Sequence, residues 1–345
     1  MTIIELQQQY AAHPNTAVME RLLKDASVQT IFCGGLCASS ASLFSSVLVK
    51  QDVCPFVFVL GDLEEAGYFY HDLTQVLGTE KVFFFPSSFR RSIKYGQKDA
   101  ANEILRTEVL SRLQKGEEGL CIVTYPDALA EKVVSRKELS DKTLKLNVGE
   151  RLDTTFITDV LHSYGFEYVD YVYEPGQYAV RGSIIDVFSF ASEYPYRIDF
   201  FGDEVESIRT FEVESQLSRE RKEGVAIVPD LAVTGDVTTS FLDFIPKETV
   251  LAMRDFLWLR DEALTPQAIA VQEAEENGGI TLEGKLIDGS EFTVRALDFR
   301  RMEFGNKPTG TPDAKISFHT SVQPIFHKNF DLVAGSFKDY LEQGY

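Results

Sequence analysis

Positive charge is scarce in this chain. Over 345 residues, 34 Lys and Arg stand against 53 Asp and Glu, a formal charge of −19. A surface that negative repels phosphate, which argues against the chain holding DNA by its backbone and favours a partner with a complementary surface. Histidine and cysteine are also sparse. The five histidines (His13, His71, His162, His319, His327) are scattered, and Cys33-x₃-Cys37 has no downstream Cys or His pair at zinc-like spacing. Asp199, Asp203, Glu204 and Glu206 crowd together, but Asp203 and Glu204 fall in a turn where charges are solvated, so no metal site is expected. The four cysteines (Cys33, Cys37, Cys54, Cys121) lie in apolar runs, the pattern of reduced, buried thiols in a cytosolic protein. No run approaches the ~18 apolar residues of a membrane span, and MTIIELQQQYAAH has no basic leader segment, so a cytoplasmic protein without a membrane partner is expected. A Gly-x-Ser-x-Gly elbow is missing too, which leaves acyl transfer without support.

Apolar residues make up 44% of the sequence, and the length predicts two or three domains. Residues 1 to about 28 carry an incomplete helical stripe (Ile4, Leu6, Tyr10, Val18, Leu22, Leu23). β-type runs then follow at Thr30–Cys33, Pro55–Leu60, Lys81–Phe85 and Leu120–Thr124, alternating with helical stretches at about 40–50, 62–77, 99–115 and 126–135. This alternation predicts an α/β fold, a parallel sheet flanked by helices. From Leu144 to about Lys222 the pattern changes to one helix (Asp153–Tyr164, ended by Gly165) and closely spaced runs at 167–174, 178–190, 196–201 and 204–213. These are too close for crossover helices, so a small antiparallel α+β domain is inserted here. Beyond Pro229 the expectations are a strand at Thr249–Arg254, a helix around 257–275, a hairpin about Asp288-Gly289, a strand at Lys315–His319 and a helix near Ser336–Gln343, in a further α/β subdomain. The expected domains are 1–142, 143–225 and 226–345.

The loop after the first strand, CGGLCASSAS, occupies the place of a phosphate-cradling loop. Laid on Gly34, the pattern G-x-x-x-x-G-K-[ST] requires Gly, Lys and Ser or Thr at positions where the chain has Ser39, Ser40 and Ala41. The lysine for the β/γ-phosphates and the hydroxyl for Mg²⁺ are both missing, so no nucleotide or cofactor is expected on this chain. FLWLRDEAL (256–264) faintly imitates a strand ending in Asp-Glu, but Arg260 interrupts it, and a solvated helix start is expected. At 83–98, FFFPSSFRRSIKYGQK interleaves basic and aromatic residues, a weak signal for nucleic-acid contact set against an exposed loop.

The most particular stretch is YEPGQYAVRGSIIDVFSFASEYPYRIDFFGDEVES, from Tyr173 to Ser207. In YRIDFF, Tyr196, Ile198 and Phe200 alternate with Arg197, Asp199 and Phe201, so the two sets face opposite ways, and Gly202-Asp203 reads as a tight turn. Residue types alone leave two readings of Arg181, Arg197 and Phe201. Either they form an exposed contact surface, or the arginines pair with local carboxylates while Phe201 joins a second small core. AVRGSIIDVFSF and SEYPYRIDFFGDEVESI resemble the second domain of the excision-repair protein UvrB, and more closely the UvrB-homology module at the N-terminus of transcription-repair coupling factor (Mfd). The likeness is strongest over Leu144 to Ser218 and thinner from Thr30 to Tyr345.

The resemblance implies a UvrB-like first domain with a degenerate phosphate loop, and an inserted domain whose face at Arg181, Arg197 and Phe201 binds UvrA. It implies a non-enzymatic, monomeric recruitment module. In the parent protein, RNA polymerase, DNA, ATP and Mg²⁺ would be handled by domains missing from this chain. In UvrB the region after a similar Phe-Phe-Pro extends into a DNA-gripping hairpin; here only a short connection follows Pro86. The alternatives are an active UvrB-type ATP-dependent repair subunit, which Ser40 disfavours, and a scaffold packing only on its own further domains. On the first reading Arg197 and Phe201 are solvent-facing, and truncating either leaves the fold intact.

Overall fold

The computed structural model describes residues 2–88, 100–231, 237–265, 268, 284–305, 307–321, 326 and 329–342. Two helices, α1 (Ile3–Ala12) and α2 (Pro14–Lys24), precede the alternating segment β1 (Thr30–Gly34), α3 (Ser39–Lys50), β2 (Phe56–Val59), α4 (Leu63–Leu77), β3 (Val82–Phe84), α5 (Ala100–Lys115) and β4 (Cys121–Thr124). Next come α6 (Pro126–Ala130), β5 (Val133–Val134), α7 (Arg136–Asp141), β6 (Leu144–Asn147), α8 (Thr154–Ser163), β7 (Glu167–Tyr168), β8 (Gln177–Arg181) and β9 (Ile184–Val187). The remaining strands are β10 (Tyr196–Phe201), β11 (Glu204–Phe211), β12 (Ser218–Lys222), β13 (Gly224–Ile227), β14 (Val237–Thr239), β15 (Val250–Met253), β16 (Arg300–Gly305) and β17 (Ala314–Ser317).

FVFV in β2, CIVT in β4 and VLAM in β15 are apolar without alternation and buried throughout, as strands covered on both faces must be. They lie in one parallel sheet of order β17-β1-β16-β15-β2-β4-β3. Among the described residues, the last three strands thus enter the sheet begun by the first four. Helix boundaries follow local chemistry. Asp62 caps α4 by accepting from the Glu65 amide, and Gly78, at φ 80°, ends it.

β6 and β13 pair with each other, so the chain leaves for the inserted domain and returns through one two-stranded ribbon. Between them stands a sheet of order β12-β11-β10-β9-β8-β7, antiparallel apart from the β7–β8 pair. One face packs Ile185, Val187, Ile198, Phe200, Val205 and Ile208 against Ile157 and Leu161 of α8. Its other face carries a smaller cluster of Val172, Ala179, Phe188 and Phe211. The last outward strand, SRERK in β12, is exposed and charged along its length, which protects a sheet edge from pairing with other chains.

Four expectations are corrected. Asp288-Gly289 is a helix start rather than a hairpin turn: Asp288 caps Gly289–Ala296 by accepting from the Glu291 amide, and a Cβ at 289 would collide with the Arg260 carbonyl oxygen. The helix expected at 126–135 is interrupted after Ala130 by β5. The last helix starts at Phe330 and runs to Glu342, with residue 343 outside the described residues. Of the stretch 257–275, Phe256–Trp258 is helical and Leu259–Ala263 continues as a wider π turn, while 266, 267 and 269–275 lie outside the described residues.

Candidate partner-binding surface

The inserted domain brings Arg181 and Arg197 together on a residue that sequence reasoning missed. Antiparallel register sets Asp186 of β9 directly opposite Arg197 of β10 and Ala179 of β8, and Arg181 lies two residues further along β8 on the same face. The Asp186 carboxylate is 1% exposed. It accepts from Arg197 Nε at 2.8 Å and Nη2 at 2.9 Å, a two-bond fork, and from Arg181 Nη2. The only sign of it in the sequence is an acidic residue within the apolar run IIDVF.

Arg197 is therefore held on every side. Besides the carboxylate, its Nη1 donates to the Gln216 carbonyl at 3.0 Å, and its guanidinium lies 4.4 Å from the centroid of the Phe211 ring. The bonds to Asp186 raise its pKa further above the ordinary arginine value. Gln216, at φ 58°, anchors the covering loop by donating from Nε2 to the Val213 carbonyl at 2.8 Å and to the Val172 carbonyl at 3.4 Å. The Arg197 side chain is 17% exposed, so it is not the solvent-facing residue that strand alternation alone predicts. The face opposite the main core is roofed by a second small core, and Arg197 lies under that roof.

Arg181 and Phe201 are more accessible. The Arg181 side chain is 35% exposed, with its guanidinium 5.1 Å from the centroid of Tyr171. Phe201, 79% exposed, ends β10 next to the Gly182-Ser183 turn, where the Phe200 amide donates to the Ser183 carbonyl at 2.9 Å. It belongs to neither core of the inserted domain. Tyr168, Tyr171 and Tyr173 are also exposed on the segment leading into β8. The alternation of YRIDFF is otherwise as read: Ile198 and Phe200 are buried, and a shift in register between Asp199 and Phe200 precedes the final aromatic pair.

The loop after β1 is bound into its own structure. Gly34 offers its carbonyl to the Phe318 amide at 2.8 Å, and Gly35, at φ 81°, has no room for a Cβ against the Phe318 carbonyl. The Cys37 amide donates to Ser40 Oγ at 2.8 Å and to Thr320 Oγ1 at 3.1 Å. Ser40 Oγ in turn donates to the Cys37 carbonyl at 2.6 Å, and Thr320 Oγ1 to the Gly35 carbonyl at 2.6 Å. Ser39 is the first residue of α3, and Ala41 is buried beneath it. The Cys37 amide, of the kind a phosphate-binding loop directs at its ligand, is thus already bonded to two hydroxyls. Arg260 pairs with its neighbour Asp261 on an exposed turn. Of the basic-aromatic segment 83–98, residues 89–98 lie outside the described residues; Phe83 and Phe85 are buried, and the Ser87 hydroxyl and the Ser88 amide donate to Glu131.

The model of the UvrB interaction domain family matches residues 144–232, the inserted domain together with its paired entry and exit strands. The chain is similar to the transcription-repair-coupling factor of Escherichia coli (strain K12), 28% identical over 198 residues, covering 57% of this chain and 17% of that protein. Its counterpart from Bacillus subtilis (strain 168) is 30% identical over 196 residues, covering 56% and 16%. For Staphylococcus aureus (strain bovine RF122 / ET3-1) the figures are 26% over 233 residues, covering 68% and 19%. The chain therefore spans less than a fifth of the length of these relatives.

Proposed function

We propose that this chain is a recruitment module of a transcription-repair coupling factor, and that its inserted domain binds the repair subunit UvrA to bring it to RNA polymerase stalled at DNA damage. The observation that carries the reading is the match of residues 144–232 to the UvrB interaction domain, on a fold that leaves Phe201 and Arg181 accessible at one end of a sheet. Aromatic and arginine side chains are the types that anchor protein interfaces. Arg181, Arg197 and Phe201 are the residues proposed to build the partner-binding surface.

In this reading the chain is not itself an enzyme. Ser40 stands where an active UvrB-type ATPase needs its lysine, and it is already bonded within its own loop. Contacts to RNA polymerase and DNA, and the use of ATP and Mg²⁺ by a DNA translocase, belong to parts of the parent outside this chain. The module is cytoplasmic and monomeric, and among the described residues no helix is long and apolar enough to cross a membrane. Its proposed divisions are 1–142, 143–225 and 226–345; β13, the return strand of the β6–β13 ribbon, crosses the last boundary. A pull-down of purified UvrA by the tagged chain tests the reading; UvrA retained on the chain and absent from a control resin is the expected result, and its absence from both would refute it.

A further inference from the structure

Asp186 carries more positive charge than it needs. A buried carboxylate must be paired, and the two-bond fork from Arg197 alone would satisfy that demand. Arg181 is a second guanidinium on the same carboxylate, so the three groups sum to one net positive charge in a chain whose total is −19. Among the described residues Arg181 donates only through Nη2, while Tyr171 lies against its plane. The carboxylate and the ring constrain that guanidinium from two sides, while its side chain stays 35% exposed. A fork held in one orientation before binding loses little conformational freedom on binding, and its geometry matches a carboxylate through two bonds.

We infer that Asp186 is the positioning residue of this surface: it holds Arg181 ready for a carboxylate presented by the partner protein, and Arg197 acts through Asp186 rather than by touching the partner. This rests on the proposed reading that the inserted domain binds UvrA. Direct contact falls to Arg181 and to Phe201, the exposed aromatic at the same end of the sheet. The partner chemistry is an acidic side chain beside an apolar recess, which suits a positive spot on an otherwise negative molecule.

Calorimetric titration of purified UvrA with the whole chain tests this. Arg181→Lys should weaken binding at least tenfold, because a point charge cannot reproduce the fork. Asp186→Asn should do the same while the chain stays folded by near-ultraviolet circular dichroism at the assay temperature. If that variant does not fold, Asp186→Leu combined with Arg197→Leu decides the matter, since apolar pairs commonly replace buried ion pairs without loss of the fold. In the double-leucine background Arg181→Lys should cost less than twofold further, a non-additivity that a purely structural role would not produce. Tight binding by folded Asp186→Asn or double-leucine chains overturns the inference and leaves the UvrA reading standing. Failure of the unaltered chain to bind UvrA removes both.

Discussion

Phe201 and Arg197 stand four residues apart on one strand, and their surroundings predict different outcomes for the same truncation. Phe201 belongs to neither core and is largely exposed, so Phe201→Ala should change stability by no more than about 0.5 kcal/mol in chemical denaturation. Arg197→Ala removes the fork from a buried carboxylate and the cation from above Phe211, and a loss of about 2–3 kcal/mol is expected by the same measurement. Alternation in YRIDFF was enough to place Ile198 and Phe200 inside and Phe201 outside. It could not reveal the roof over Arg197, because the partners Asp186, Phe211 and Gln216 come from three other segments and meet only through sheet register and loop closure. Apolar neighbours made the burial of Cys33 and Cys121 legible, whereas Cys37 and Cys54 are only half-buried; burial pushes Cys33 up to about 12 and raises Cys121 as well, and both should resist alkylation at pH 8 until the chain unfolds.

At the scale of elements, the apolar strands of the parallel sheet were found and its charged one was not. β16, RRMEFG, is an interior strand of the parallel sheet, between β1 and β15, although Arg300, Arg301 and Glu303 disguise it. Each charge has local work: the Arg300 guanidinium donates to the carbonyls of Leu23, Asp25 and Val28 at the end of α2, Arg301 stacks on Phe256, and Glu303 accepts from the Thr309 amide. For the two arginines that compensation depends on segments far away in the chain. The loop after β1 supports a prediction at this scale. With Ser40 and Thr320 hydroxyls bonded into it, titration with ATP and Mg²⁺ should give a dissociation constant weaker than about 100 µM, roughly −5.5 kcal/mol. The edge strand β17 is tied to β1 by Asp313, which accepts from the Gln29 and Thr30 amides, both at 2.9 Å, and from the Thr30 hydroxyl. Those bonds hold its carboxyl below the ordinary 3.8, so its stabilising contribution is complete above that pH and fades as the pH falls through the lower folded value. Asp313→Asn should therefore lower the melting temperature at neutral pH, and the difference from the unaltered chain should close in strong acid.

The molecule as a whole combines a parallel α/β layer, whose loop is bonded to itself, with an antiparallel domain carried on one ribbon. The first was legible because burial on both faces and helix alternation leave periodic marks. The second was legible mainly through its motif words. With a charge of −19, the chain should show no submicromolar affinity for duplex or single-stranded DNA by fluorescence anisotropy at ~150 mM salt. The role proposed for it is protein recruitment through the end of the inserted sheet. The most direct measurement is calorimetric titration of purified UvrA with the unaltered chain and with Phe201→Ala, the variant expected to keep its fold. The account predicts saturable one-to-one binding by the unaltered chain and a loss of about thirtyfold, roughly 2 kcal/mol, in the variant. No saturable binding by the unaltered chain, or equal affinity for both, would contradict it.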